Sequence, residues 1–157
     1  MNITKETSHK VLLVTKQDER SVERMFAPLD ASGMKYTIIS SDALENDEKI
    51  VRTPLLFIRT SSLNQQKISK VLTVFPELTG VMFIFDTGSS SIEMMREIAV
   101  ARTNFIAVVG ALFTGGQESR GIQLCRQVGI PYLSHMKREE DRLPDPTVTI
   151  FDNMINR

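Results

Sequence analysis

Five short apolar runs punctuate the chain: Val11-Leu12-Leu13-Val14, Tyr36-Thr37-Ile38-Ile39, Leu55-Leu56-Phe57-Ile58, Val81-Met82-Phe83-Ile84-Phe85 and Phe105-Ile106-Ala107-Val108-Val109. Within them apolar and polar residues do not alternate. A strand apolar on both sides must be covered on both faces, as in a parallel sheet between helical layers. The stretches between the runs carry helical spacing instead. A short apolar run followed by a helix, repeated along the chain, predicts one three-layer α/β/α domain with a mainly parallel sheet of five or six strands.

The helical stretches are read from their stripes. Between 18 and 29, Val22, Met25, Phe26 and Leu29 fall at i, i+3, i+4 and i+7. Pro28 predicts a kink or stop there, and Gly33 a C-terminal turn. Ile68, Val71, Leu72 and Phe75 repeat the spacing before Pro76. Ile92, Met95, Ile98 and Ala99 mark a third stripe. Ile122, Cys125 and Val128 mark a fourth, closed by Gly129. The segment 43–51 is acidic and weakly patterned, so its helix should be short or irregular. Ile130-Pro131-Tyr132-Leu133 predicts a sixth strand at the sheet edge, where proline is tolerated. The charge run 137–142 reads as a solvated turn or loop. Pro144 and Pro146 break the chain, and 147–151 has the propensity of an edge strand or of a segment packed on a partner. The organisation expected is a polar tail over 1–9, an α/β domain over 10–135 and a charged C-terminal segment over 136–157.

Charge changes this picture little. Lys plus Arg equals Asp plus Glu at 19 each, so no broad positive field is available and no nucleic-acid partner is expected. The longest apolar stretch, 105–113, is about half of the ~20 residues a membrane helix needs. Its reach is an argument against a membrane association. One cysteine, Cys125, cannot form an internal disulfide, which fits a reducing cytoplasm. It lies on an apolar stripe and is expected as a buried, inert thiol. Met94 and Met95 are expected to fill core gaps. His9, in the polar tail, and His135, after the sixth run, are read as structural or exposed.

Chemistry, if present, should lie beyond the carboxyl ends of the strands. Those ends carry Lys16-Gln17-Asp18-Glu19, Ser40-Ser41-Asp42, Arg59-Thr60-Ser61-Ser62, Asp86-Thr87-Gly88-Ser89-Ser90-Ser91 and Thr114-Gly115-Gly116. Hydroxyls, glycines and helix N-termini are parts of an anion site, and Arg59 would add a fork of donors. The same residue types are preferred caps and turn formers. The candidate ligand-binding set is Arg59, Thr60, Ser61, Asp86, Thr87, Gly88, Ser89 and Ser90, bordered by Gly115 and Gly116. It assumes that strands three, four and five lie side by side. An Arg59–Asp86 ion pair is the rival explanation for those two residues. Neither a glycine fingerprint after the first strand nor a Walker loop is present. A Cys/His cluster and a Gly-x-Ser-x-Gly elbow are missing too. The sequence therefore predicts no cofactor, no metal and no complete catalytic set.

Three resemblances bear on function. Asp86-Thr87-Gly88-Ser89-Ser90 resembles the aspartic-protease signature, but only one copy occurs and helical periodicity follows it. Val109-Gly110-Ala111-Leu112-Phe113-Thr114-Gly115-Gly116 is similar to the glycine-bearing strand end of nucleotide- or CoA-binding α/β domains. The β-α rhythm of roughly the first 130 residues resembles flavodoxin-like domains, response-regulator receivers among them. That resemblance implies acidic residues after strand one (Asp18, Glu19) and a hydroxyl after strand four (Thr87). The phosphoacceptor aspartate is missing at Arg59-Thr60, and the lysine is missing at Gly110-Ala111. Right-handed crossovers favour the strand order 2-1-3-4-5, with a Rossmann-like order as the alternative. The expected function is a non-catalytic cytoplasmic regulatory or protein-binding domain with a degenerate receiver-like fold, working through a protein partner or as a homodimer. The alternative is a small enzyme or ligand-binding domain for a phosphorylated or carboxylated small molecule.

Overall fold

Six strands form one all-parallel sheet: β1 (His9–Thr15), β2 (Tyr36–Ser40), β3 (Leu55–Thr60), β4 (Gly80–Phe85), β5 (Val108–Phe113) and β6 (Tyr132–Leu133). Between them run α1 (Glu19–Met25), α2 (Ala27–Ala31), α3 (Gln65–Val74), α4 (Ser91–Thr103) and α5 (Glu118–Val128). This computed structural model describes residues 9–31, 33–42, 53–86, 89–114, 118–133 and 151. The fold is the expected α/β/α type. The segments 43–51 and 137–142, and positions 147–150, lie outside the described residues.

The strand order is 2-3-1-4-5-6, which corrects the expected 2-1-3-4-5. β1 lies between β3 and β4, with Leu12 level with Ile58 on one side and Val81 on the other. The chain leaves β1 for the far edge, returns to fill the gap with β3, then crosses β1 to reach β4. Handedness decides which face a crossover takes, not how many strands it skips. Burial explains the skipping. Leu55, Leu56, Phe57 and Ile58 are at most 2% exposed, whereas all five β2 residues stay partly exposed. The fully apolar run therefore takes the interior, and Tyr36-Thr37-Ile38-Ile39-Ser40, with three polar groups, takes the edge.

Handedness then sorts the helices. The crossover from β1 to β2 runs toward one edge and places α1 and α2 on one face. The later crossovers run the other way and place α3, α4 and α5 on the opposite face. The core divides accordingly. Leu12, Val14, Leu56, Ile58, Phe83 and Phe113 pack with Ile68, Met94, Ile98 and Cys125. Val11, Leu13, Phe57, Met82 and Ile84 pack with Val22, Phe26, Leu29 and Phe151. Phe151 is fully buried with helical backbone, its ring edge-on to Phe57 at a 5.5 Å centroid distance. At that position the expected strand is not found.

Local details follow from side-chain demands. The first helical stretch breaks at Phe26, which is buried and caps α1 through its N–H. Pro28 falls in the first turn of α2, where a missing N–H costs least. Gly33 has φ +86° after it. α3 ends before Pro76 as expected. The stripes of α4 and α5 need correction. α4 buries Met94, Ile98 and Ala101 and leaves Ile92 70% and Met95 42% exposed. α5 buries Leu124 and Cys125 and exposes Ile122. In both helices two apolar sets fit a helical period, and spacing does not rank them. The fifth run is displaced as well: β5 starts at Val108, and Phe105 stands in the preceding turn at φ +58°. His9, read as tail, opens β1. Among the described residues, no helix is long and apolar enough to cross a membrane.

Two packing features give direct tests. A Cβ at Gly121 would lie 2.5 Å from the Phe113 ring. Phe113 is enclosed, so Gly121→Ala should destabilise the protein by about 1–3 kcal/mol, the usual range for overpacking, as read by urea unfolding. Burial pushes the Cys125 thiol up to about 11, which leaves little thiolate at neutral pH. The native protein should react with an aromatic disulfide reagent only as fast as it opens, and the unfolded chain at once. Rapid stoichiometric labelling of the native protein would refute the burial.

Candidate functional site

The crevice follows from the topology. The chain leaves β1 toward one face and leaves β3 and β4 toward the other, so the sheet opens at the carboxyl end of β1. Lys16, Gln17 and Asp18 sit there, between the ends of β3 and β4. The Arg59–Thr60 corner and the Asp86–Ser89 corner are thus separated by β1 and are not adjacent. The side-by-side arrangement of strands three, four and five holds only for four and five.

Most hydroxyls and carboxylates at this edge hold backbone. Asp18 caps α1, its Oδ1 accepting from the Ser21 N–H at 2.8 Å. That bond, reinforced by the Ser21 side chain, keeps the Asp18 carboxyl below its ordinary value. Asn64 caps α3 by accepting from Lys67 N–H at 2.8 Å. Ser90 caps α4 by accepting from Glu93 N–H at 3.1 Å. Buried Thr60 donates its hydroxyl proton to the Ser62 carbonyl at 3.1 Å. Ser89 is buried beside Asp86. Its N–H donates to the Asp86 carbonyl at 3.2 Å and its hydroxyl to Asp86 Oδ1 at 3.3 Å. Arg120 on α5 ties this corner down, donating to the Ser89 carbonyl at 3.0 Å and to Ser91 Oγ at 3.1 Å. Ser61 is exposed. Thr87, Gly88, Gly115 and Gly116 lie outside the described residues.

Arg59 is placed differently. In the register it is level with Leu13 on β1 and Ser40 on β2. It alternates with Leu55 and Phe57, so it faces the α1–α2 layer. Its Nε is buried and finds no hydrogen-bond partner. Asp86, across β1, accepts from Ser89, and the rival explanation, an Arg59–Asp86 ion pair, is not formed.

Sequence reasoning missed a charged group on the other face. Lys16 Nζ lies 3.7 Å from Glu93 Oε2. One turn along α4, Glu97 Oε2 accepts from the Leu63 N–H at 2.7 Å. The Glu93/Glu97 spacing of one helical turn was the available signal. Burial raises the Glu97 carboxyl above its ordinary value, with Glu93 adding repulsion, against the Leu63 bond and Lys16. A raised native pKa means the ionised form costs stability. The stability present below the ordinary glutamate range is lost as pH rises through the native value. Glu97→Gln keeps an acceptor for Leu63 without the charge. Its melting temperature should match or exceed the parent's at neutral pH, and the difference should shrink on acidification. A variant deficit that is constant with pH would contradict this.

Among the described residues, no group of three or more His, Cys, Asp or Glu side chains could hold a metal ion. The fold is a parallel α/β sheet of flavodoxin- or Rossmann-like type. No protein-family model matches the chain, and a search of curated proteins finds no match.

Proposed function

We propose that this is a non-catalytic regulatory or protein-binding domain, receiver-like in architecture and acting in the cytoplasm through contacts with a protein partner or a second copy of itself. One observation carries the reading. Phe105 is 96% exposed and held at φ +58°. A non-glycine residue in this left-handed region costs roughly 1–2 kcal/mol, and an exposed phenyl ring gains nothing from folding. The left-handed turn itself closes α4, with the Phe105 N–H on the Arg102 carbonyl and the Ile106 N–H on the Ala101 carbonyl; a bare phenyl ring where glycine or asparagine would cap as well is the argument for a contact role. Exposed Ile92 and Met95 on α4 add apolar surface. The capping bonds of Asp18, Asn64 and Ser90 and the loop bond of Thr60 support a non-catalytic edge.

Phe105→Asn separates function from stability, because asparagine tolerates the left-handed region. The variant should melt at or above the parent's temperature. In light scattering, or in pull-down of a partner, its association should fall about tenfold, equivalent to 1.4 kcal/mol. If association is unchanged in both Phe105→Asn and Ile92→Glu, the contact reading fails.

A second reading, a ligand-binding domain or small enzyme for a phosphorylated or carboxylated molecule, is favoured by the unpartnered Nε of Arg59.

A further inference from the structure

We propose that Arg59 seats a small oxyanion, a phosphate or carboxylate group, on the α1–α2 side of the sheet beside β1 and β2. The inference rests on the second reading above and moves its site away from the Asp86–Ser90 corner.

Three donors share this place. Arg59 and Ser40 are level with each other on neighbouring strands and face the same layer. Thr15 lies on that face of β1, two residues beyond Leu13, which is itself level with Arg59. Neighbouring strands are about 4.8 Å apart, so the three side chains leave the sheet as one group. The Thr15 hydroxyl accepts from the Gln17 N–H at 3.0 Å, and the Ser40 hydroxyl accepts from the Asp42 N–H at 3.2 Å. A hydroxyl that accepts keeps its own proton to donate. Two carboxylates follow β1 and β2 along the chain. Asp18 caps α1, and Asp42 lies 3.8 Å from Lys67. The group is thus rich in donors and lacks an acceptor for the Arg59 Nε. A buried donor on a charged group is costly to leave unmade. The Nε–H and one terminal N–H of a guanidinium form a two-toothed edge that matches two oxygens of a phosphate or carboxylate. Arg59 as a whole is partly exposed while its Nε is enclosed, so an anion meets the terminal N–H groups first and takes the Nε–H by a side-chain rotation that uncovers this edge.

The test is a titration of the intact protein with inorganic phosphate and, separately, with acetate, followed by the side-chain Nε–Hε resonance of Arg59 in nitrogen-edited NMR. The resonance is assigned by its disappearance in Arg59→Lys. The expected result is a saturable shift of this resonance with at least one anion. Arg59→Lys keeps the charge but loses the fork, and should weaken binding about tenfold as read on the Thr15 and Ser40 amides. A shift with phosphate alone assigns a phosphorylated ligand, and a shift with both assigns a general oxyanion seat. An Arg59 resonance that stays still while the Ser89, Ser90 or Thr114 amides move overturns this placement and leaves the second reading standing. If no resonance moves with either anion, both fail. Should Arg59→Lys not fold, the resonance is assigned through its side-chain connectivity to the Arg59 backbone, and the wild-type titration decides the matter.

Discussion

Phe57→Ala should lower the unfolding free energy by about 3–5 kcal/mol, the usual cost of emptying a large core site. Phe57 is fully buried in a strand paired on both sides. Its ring meets Phe26 at 4.8 Å, Phe151 at 5.5 Å and Tyr36 at 5.9 Å between centroids. These partners come from the α1 cap, the C-terminal segment and the edge strand, so one deletion loosens three elements. The site cannot collapse easily, because β1 and β2 pin its strand on either side. Domains of this size are stable by only about 5–15 kcal/mol. Urea unfolding should therefore show a midpoint far below the parent's, with a slope unchanged if the transition remains two-state. A loss under about 1 kcal/mol would mean that the α1–α2 core is not packed as described.

Phe151→Ala should cost a similar amount, again about 3–5 kcal/mol, although it lies close to the end of the chain. Terminal residues are ordinarily the cheapest to change. Phe151 is fully buried against the face that carries Phe57, Met82, Ile84 and Leu112. Among the described residues α1, α2 and Phe151 cover that face, so the phenyl ring is a large share of the packing over Phe57. The double variant Phe57→Ala/Phe151→Ala should lose less than the two single losses together, because the rings touch and share one cavity. A near-neutral Phe151→Ala would show that the segment does not dock.

What could be read from the residues, and what could not, has a physical pattern. Four strand interiors were legible because Val11 to Val14, Tyr36 to Ile39, Leu55 to Ile58 and Val81 to Phe85 are uninterrupted by charge and flanked by helical spacing. The fifth misled by three residues. Phe105 is apolar yet sits outside the strand, because α4 runs on to Thr103 and the chain must turn before β5. Strand order was beyond periodicity, since nothing local tells β2 to leave room for β3. The clue was the contrast between Tyr36-Thr37 and Leu55-Leu56, a difference in burial demand. On α4, Met94 and Met95 are equally apolar, and the roughly 100° between them decides which one faces Ile98. At the site, the cap chemistry of Asp18 and Ser90 was legible from residue type and position. Arg59 is legible as a cation at a strand end, but its neighbours depend on the strand order and cannot be assigned from the sequence. The Glu97–Leu63 bond joins residues distant in sequence and leaves only the Glu93/Glu97 spacing as a trace.

The crevice and the surroundings of Arg59 both depend on β1 lying between β3 and β4. Backbone NOEs measure this directly. The strands of a parallel pair show short contacts between amide and Hα protons of neighbouring strands, about 4.8 Å apart. The account predicts contacts from 11–14 to 57–60 on one side and from 11–15 to 80–84 on the other, with 36–40 contacting 55–59. Contacts joining 57–60 directly to 81–85, with 36–40 against 11–14 instead, would restore the order 2-1-3-4-5. That result would contradict both the placement of the crevice and the separation of Arg59 from Asp86.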